Sequence, residues 1–196
     1  MSVMIFGENG TGKEHIAHHL HDKSKRAGKP FVAVDCGSLT KELAPSAFFG
    51  HVKGAFTGAD STKKGYFYEA EGGTLFLDEV GNLALETQQM LLRAIQERRY
   101  RPIGDKSDRS FNVRIIAATN EDLEAAVSEK RFRQDLFYRL HDFGITVPPL
   151  RDCQEDILPL AEFFREIANK ELECNVSGFS SEARKALLTH AWPGNV

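Results

Sequence analysis

Apolar runs and amphipathic stretches alternate along most of the chain. SVMIF (2–6), FVAV (31–34), TLFL (74–77), VRIIAAT (113–119) and FGITV (143–147) are short, rich in β-branched and aromatic residues, and nearly free of polar side chains. Runs of this kind suit strands covered on both faces, as in a parallel sheet. KEHIAHHLHDKSKR (13–26), LETQQMLLRAIQERR (85–99) and EDLEAAVSEK (121–130) have helical spacing and each follows a strand. Successive strand-helix-strand units with right-handed crossovers are the economical architecture. The pattern therefore predicts an α/β domain with a parallel central sheet over residues 1–147. After Val147 the texture changes: PPL breaks the series, and DILPLAEFFREIANKEL (156–172) and SSEARKALLTHA (180–191) read as helices with no strand between them. A small α-helical domain is expected over 148–196.

Composition narrows this picture. Lys and Arg total 25 against 28 Asp and Glu, a net charge of -3, which argues against a polybasic surface built for nucleic acid. Any contact with DNA is expected from a domain outside this chain. The three cysteines, Cys36, Cys153 and Cys174, lack CxxC spacing and read as small apolar side chains in a reducing compartment. No apolar run approaches the ~20 residues of a membrane span, and no leader-like segment opens the chain. A soluble cytoplasmic protein without a membrane partner is the expectation.

The strongest chemical signal is GENGTGK, residues 7 to 13, directly after the first strand and before a helix. Gly7, Gly10 and Gly12 permit close backbone approach. The N–H groups of Gly7, Glu8, Asn9, Gly10, Thr11 and Gly12 can then ring a phosphate at a helix N-terminus, with Lys13 reaching the terminal phosphates. Position 14 is Glu, where many such loops place a hydroxyl on magnesium, so the metal must lean on another residue. TLFLDEV supplies it: Asp78 and Glu79 end a buried strand on the rim where open α/β sheets bind ligands. Asp78 is expected to hold Mg²⁺ through water, and Glu79 to polarise the water that attacks the γ-phosphate of ATP. VRIIAATN ends in Thr119 and Asn120, polar groups that can orient the same water or sense the γ-phosphate. His15, His18, His19 and His21 invite a metal-site reading, but no acidic or cysteine ligand accompanies them and a polar helix face accounts for them. GAFTGA, Gly54, Ala55, Phe56, Thr57, Gly58 and Ala59, has neither helical nor strand periodicity, which leaves open whether Phe56 folds inward or is held out for a partner.

GENGTGKE, FFGHVKGAFTGA, GGTLFLDEVG, IIAATNEDL, FRQDLFYRL, PPLRDCQEDI and WPGNV stand in the order seen in the central AAA+ domain of sigma-54-dependent bacterial transcription activators, and the chain resembles that family over nearly its whole length. The resemblance implies a three-layer αβα P-loop AAA+ fold followed by a truncated helical lid. Glu14 matches the family's own form of the phosphate loop. By the same resemblance, GAFTGA tips a loop near residues 50–64 that touches sigma-54 within RNA polymerase holoenzyme. ATP hydrolysis then remodels the closed promoter complex. Arg133 and Arg139 match fingers that reach a neighbouring subunit's nucleotide, which implies a ring, typically a hexamer. Asp35 stands where the family more often has an Asn that holds the catalytic Glu aside, and is expected to act as a switch. The family's lid arginine after WPGNV and the segment preceding the first strand are not in this sequence, so an excised core with weakened activity is expected. Two other readings remain: a nucleotide-gated interaction module with little turnover, or another AAA+ protein such as a helicase loader.

Overall fold

Five strands form one parallel sheet in the order β2-β3-β6-β1-β7. They are β1 (Val3–Phe6), β2 (Phe31–Asp35), β3 (Thr74–Asp78), β6 (Arg114–Thr119) and β7 (Gly144–Thr146). The computed structural model describes residues 1–196. It divides into two units, one of Met1–Gly7 and Lys13–Thr146, the other of Glu8–Gly12 and Val147–Val196.

The inner strands are those whose sequences are most apolar. Met4, Ile5, Leu75, Phe76, Leu77, Ile116, Ala117 and Ala118 are buried, as expected of strands covered by helices on both faces. The edge strands depart from the expectation of two-sided burial. In β2, Ala33 and Asp35 are exposed, and in β7 so are Gly144 and Thr146, because a strand at the border has a neighbour on one side only. The register aligns the strand ends that matter: Asp35 pairs with Asp78, and Phe6 with Thr119.

Helix α1 (Lys13–Asp22) follows β1 and stops before the predicted residue 26; Ser24 Oγ donates to the carbonyl of His21 and turns the chain. Helix α4 (Leu85–Glu97) buries Leu91, Leu92, Ala94 and Ile95 and ends where Arg98 takes a left-handed φ of 55°. Helix α5 (Leu123–Ser128) is capped by Asp122, whose carboxylate accepts from the N–H groups of Glu124 and Ala125. Helix α6 is Gln134–Leu140.

Other elements have no counterpart in the sequence pattern: α2 (Ala44–Phe49), α3 (Tyr66–Glu69), and an antiparallel hairpin of β4 (Arg99–Tyr100) and β5 (Arg109–Ser110). Aromatic packing joins them. Phe67 lies 5.5 Å from Phe49, 5.7 Å from Tyr100 and 4.7 Å from Phe111, ring centre to ring centre. Separations of this size suit offset and edge-on aromatic contacts.

In the second unit, α7 (Gln154–Glu171) and α8 (Ser181–Thr189) are joined with no intervening strand. Ser180 caps α8 by accepting from the Ala183 N–H. Trp192 Nε1 donates to the carbonyl of Leu187 at 2.9 Å. Asn195 Oδ1 accepts from the Leu150 N–H at 2.8 Å, which ties the end of the chain to the start of the helical segment.

Candidate functional site

Within the sheet unit, four strand ends converge on one rim. Gly7 N–H donates to the carbonyl of Thr119, so the exits of β1 and β6 are joined. Cys36 N–H donates to the carbonyl of Asp78, joining the exits of β2 and β3. Lys13 begins α1 almost fully buried, with Nζ 3.0 Å from the carbonyl of Gly7. A buried ammonium needs such a partner. Thr119, also buried, accepts on Oγ1 from the Glu121 N–H, while Asn120 is exposed.

Asp78 and Glu79 occupy a sharp corner. Glu79 takes a left-handed φ of 50° between β3 and a short 3-10 turn, Val80–Asn82. A non-glycine residue in this region is strained and such strain collects at functional sites. One Asp78 oxygen, Oδ1, accepts from the Glu79 N–H at 2.9 Å. Glu79 Oε2 accepts from Asn82 Nδ2 at 2.9 Å. Asp35 Oδ1 accepts from the Gly37 N–H at 2.8 Å. Gly37 is the point they crowd: a Cβ there would stand 2.7 Å from Glu79 Oε2, 3.1 Å from Asn82 Nδ2 and 3.2 Å from Asp35 Oδ1. Burial, and then the negative charges of Asp35, Asp78 and Glu79, push the neighbouring Cys36 thiol up. It is an inert packing group here, not a nucleophile.

The intervening residues Glu8–Gly12 cluster with the helical unit and are bound within it. Arg151 Nη1 and Nη2 donate to the two Glu8 carboxylate oxygens at 2.8 and 2.6 Å, and Asn195 Nδ2 donates to the Asn9 carbonyl at 2.8 Å. The Arg151 and Asn195 hydrogen bonds hold the Glu8 carboxyl down to about 2. Thr11 Oγ1 closes the turn on the Glu8 carbonyl at 2.8 Å. Gly10 needs to be glycine: its φ is +75° and a Cβ would meet the Gly194 carbonyl at 2.1 Å. Glu14, by contrast, is exposed on α1, 3.9 Å from His18. His18 stacks on Phe31 at 3.9 Å and the buried His21 bonds Thr74 at 2.9 Å, so these histidines pack against the sheet; no group of three metal-binding side chains forms.

The two predicted arginines sit at opposite ends of α6. Arg133 precedes its first turn and grips Asp135 through Nε and Nη2 at 3.0 and 2.8 Å; Arg139 lies exposed in the last turn. The Arg133 backbone N–H donates to Oε1 of the fully buried Gln88, whose Nε2 donates to the carbonyls of Leu83 and Arg131.

GAFTGA forms a closed turn. Gly54 N–H donates to the Ala59 carbonyl at 2.8 Å and Ala59 N–H to the Phe56 carbonyl at 3.0 Å. Ala59 is buried and anchors the turn; Phe56 is 46% exposed, with one edge-on contact to His51 at 5.0 Å, and Thr57 is exposed. The stem is pinned from an unforeseen side: Val52 N–H donates to the Ile103 carbonyl and Ile103 N–H to the Gly50 carbonyl, so the segment that follows β4 supports it.

Comparison with known proteins adds the decisive observation. Residues 1–146 match the family model of the sigma-54 interaction domain, and residues 151–196 match that of an AAA+ ATPase lid domain. The chain belongs to the sigma-54 interaction domain family. This sigma-54 interaction domain is 50% identical over 195 residues to the alginate biosynthesis transcriptional regulatory protein AlgB of Pseudomonas putida. It is 49% identical over 195 residues to the transcriptional regulatory protein ZraR of Klebsiella oxytoca. Each alignment covers all of this chain and 44% of the relative, so the chain spans less than half the length of either. Its fold superposes with a TM-score of 0.91 on NtrX from Brucella abortus crystallised with ADP, and 0.90 on the same protein with ATP, at 36% identity. Those matches cover 99% of this chain and 42% and 44% of NtrX. The domain is an AAA+ ATPase domain of the sigma-54-dependent regulators.

Asn82, Gln88 and Gly37 were not marked by the sequence. Gln88 lies inside a helical stretch where a glutamine reads as solvated, and Asn82 is three residues past an acidic pair that already explains the corner.

Proposed function

We propose that this sigma-54 interaction domain binds Mg²⁺-ATP in the loop Gly7, Glu8, Asn9, Gly10, Thr11, Gly12, Lys13 and Glu14, and uses hydrolysis to remodel the closed promoter complex of sigma-54 RNA polymerase. The observation that supports the reading is the single rim of the sheet at which α1 begins with Lys13, β3 runs out through Asp78 into Glu79, and β6 ends in Thr119. Lys13 Nζ exchanges the Gly7 carbonyl for phosphate oxygens. Asp78 has a carboxylate oxygen beyond the one that caps Glu79. One carboxylate fits Mg²⁺, which usually keeps several waters and takes further ligands from substrate phosphates. When bound, the ion neutralises phosphate charge. Glu79 accepts a proton from the attacking water, and Thr119 and Asn120 orient that water.

Arg133 and Arg139 act in trans, in a ring with hexameric closure, where each neutralises charge developing on the neighbour's γ-phosphate. Asp35 biases Glu79 through its charge. Phe56 and Thr57, carried by Gly54, Ala55, Gly58 and Ala59, contact sigma-54. DNA contact falls to another part of the whole regulator, and the setting is the bacterial cytoplasm.

The test is steady-state ATP hydrolysis against protein concentration. Specific activity should rise as the protein is concentrated and be lost in Arg133→Ala at every concentration. Constant specific activity with Arg133→Ala fully active would mean that each site is complete within one chain.

A further inference from the structure

We infer that Asn82 is a positioning residue that holds Glu79 withdrawn from the phosphate side of the sheet and so sets the basal rate of hydrolysis. This rests on the reading of Glu79 as the residue that activates water.

The sheet order supplies the direction. From β3, β2 lies on one side, and β6 and then β1 lie on the other. Lys13 and the phosphate loop follow β1. Glu79 Oε2 instead crowds Gly37, two residues past the end of β2, and lies there beside Asp35 Oδ1. The carboxylate is therefore turned towards β2. The group that keeps it there is Asn82 Nδ2, at 2.9 Å. The corner is also closed by the backbone, since Asn82 N–H donates to the Glu79 carbonyl at 3.0 Å. Backbone and side chain of Asn82 thus both grip Glu79, across the 3-10 turn that follows its strained φ.

Asp35 cannot supply this restraint. An ionised carboxylate has no proton to donate, and its Oδ1 accepts from Gly37. Two carboxylates beside one glycine repel each other, so Asp35 opposes the withdrawn position while Asn82 favours it. The two residues should therefore act in opposite directions. Removing the Asn82 donor releases Glu79 towards β1, while giving position 35 an amide adds a second donor on the β2 side. Asn82 is exposed, so its replacement leaves the core untouched.

The experiment measures kcat and KM for ATP without sigma-54, at a protein concentration where specific activity has levelled off. Asn82→Ala, and the isosteric Asn82→Asp, should raise kcat roughly three- to tenfold, the size expected for one partly solvated hydrogen bond to a charged group. KM and the Kd of a non-hydrolysable ATP analogue should stay within about twofold, because a tenfold change would require a free-energy difference of about 1.4 kcal/mol in binding. Asp35→Asn should lower kcat. In the nucleotide-free protein, the Asn82 side-chain amide resonances should shift strongly on Glu79→Ala. Unchanged or lowered kcat in both Asn82 variants, or amide resonances indifferent to Glu79→Ala, would overturn the inference. Full hydrolysis by Glu79→Gln would instead remove the reading of Glu79 on which it rests. Loss of hydrolysis in Glu79→Gln beside wild-type rates in the Asn82 variants would overturn the Asn82 role alone.

Discussion

Gln88, wholly buried on α4, holds the backbone N–H of Arg133 at 2.8 Å and fixes the point from which α6 departs. Both of its Nε2 hydrogens are used, one on the carbonyl of Leu83 and one on that of Arg131. A leucine here would take the side-chain partner from three backbone groups, the buried carbonyl of Leu83 and the half-buried carbonyl of Arg131 and N–H of Arg133. Gln88→Leu should cost about 1–3 kcal/mol, the usual penalty for leaving buried polar groups unpaired. Chemical denaturation checks this, and hydrolysis should fall beyond the loss of folded protein if Arg133 acts as the proposed finger, because it then departs from an unfixed start.

Arg133 itself is paired with Asp135, an ion pair in which both side chains are more than a third exposed. Exposed pairs contribute little to stability. Asp135→Ala should leave the melting temperature nearly unchanged and hydrolysis intact or raised, since a guanidinium bound in its own chain must let go before it reaches a neighbour's nucleotide. Arg133→Ala should abolish hydrolysis with the same small effect on melting. Equal loss of activity in both variants would assign Arg133 a local structural role.

The Glu8 carboxyl, lowered from 4.5 to about 2 by its hydrogen bonds to Arg151 and Asn195, predicts a pH response of definite sign. A folded-state value below the unfolded one contributes stability that is complete above pH 4.5 and lost as pH falls through about 2. The Glu8–Arg151 pair should therefore persist across the neutral range and open only in strong acid. A carboxyl-detected NMR titration should place the Glu8 midpoint near 2 and, in Arg151→Ala, move it back towards 4.5. An unmoved midpoint in that variant would show that other contacts set it.

How legible this was depended on the range of each interaction. β3 could be read because TLFL is a continuous apolar run that ends in an acidic pair, and the rim position of Asp78 and Glu79 follows from strand direction alone. The phosphate loop carries its geometry in its glycines. The β4–β5 hairpin could not be read: each strand has two residues, Arg-Tyr and Arg-Ser, too short for any period. Its role under the GAFTGA stem depends on Ile103 meeting Gly50 and Val52, a contact distant in sequence. Gln88 and Gln89 are adjacent and chemically identical, yet the first is buried and the second exposed; only the packing of α4 distinguishes them. The exposure of the edge strands is not legible either, since FVAV alone does not reveal that β2 has a neighbour on one side only.

Phe56 and Phe67 offer a contrast within one unit. Phe67 is fully buried among aromatic rings, whereas Phe56 is 46% exposed and touches His51. Phe67→Ala should cost about 3–5 kcal/mol, as large-to-small changes in a core do. Phe56→Ala should shift the melting temperature little and leave basal ATP hydrolysis nearly intact. Thermal melts of the two variants side by side check the pair.

The central claim is that hydrolysis at the rim is spent on a partner gripped by the GAFTGA turn. Its most direct test is capture of purified sigma-54 by this domain with ADP and a metal fluoride that mimics the transferring phosphate. Capture should occur with that mimic and not with ADP alone. It should vanish in Phe56→Ala and Thr57→Ala while both variants still hydrolyse ATP. Sigma-54 bound equally well by the wild type, by both variants and without nucleotide would contradict the account.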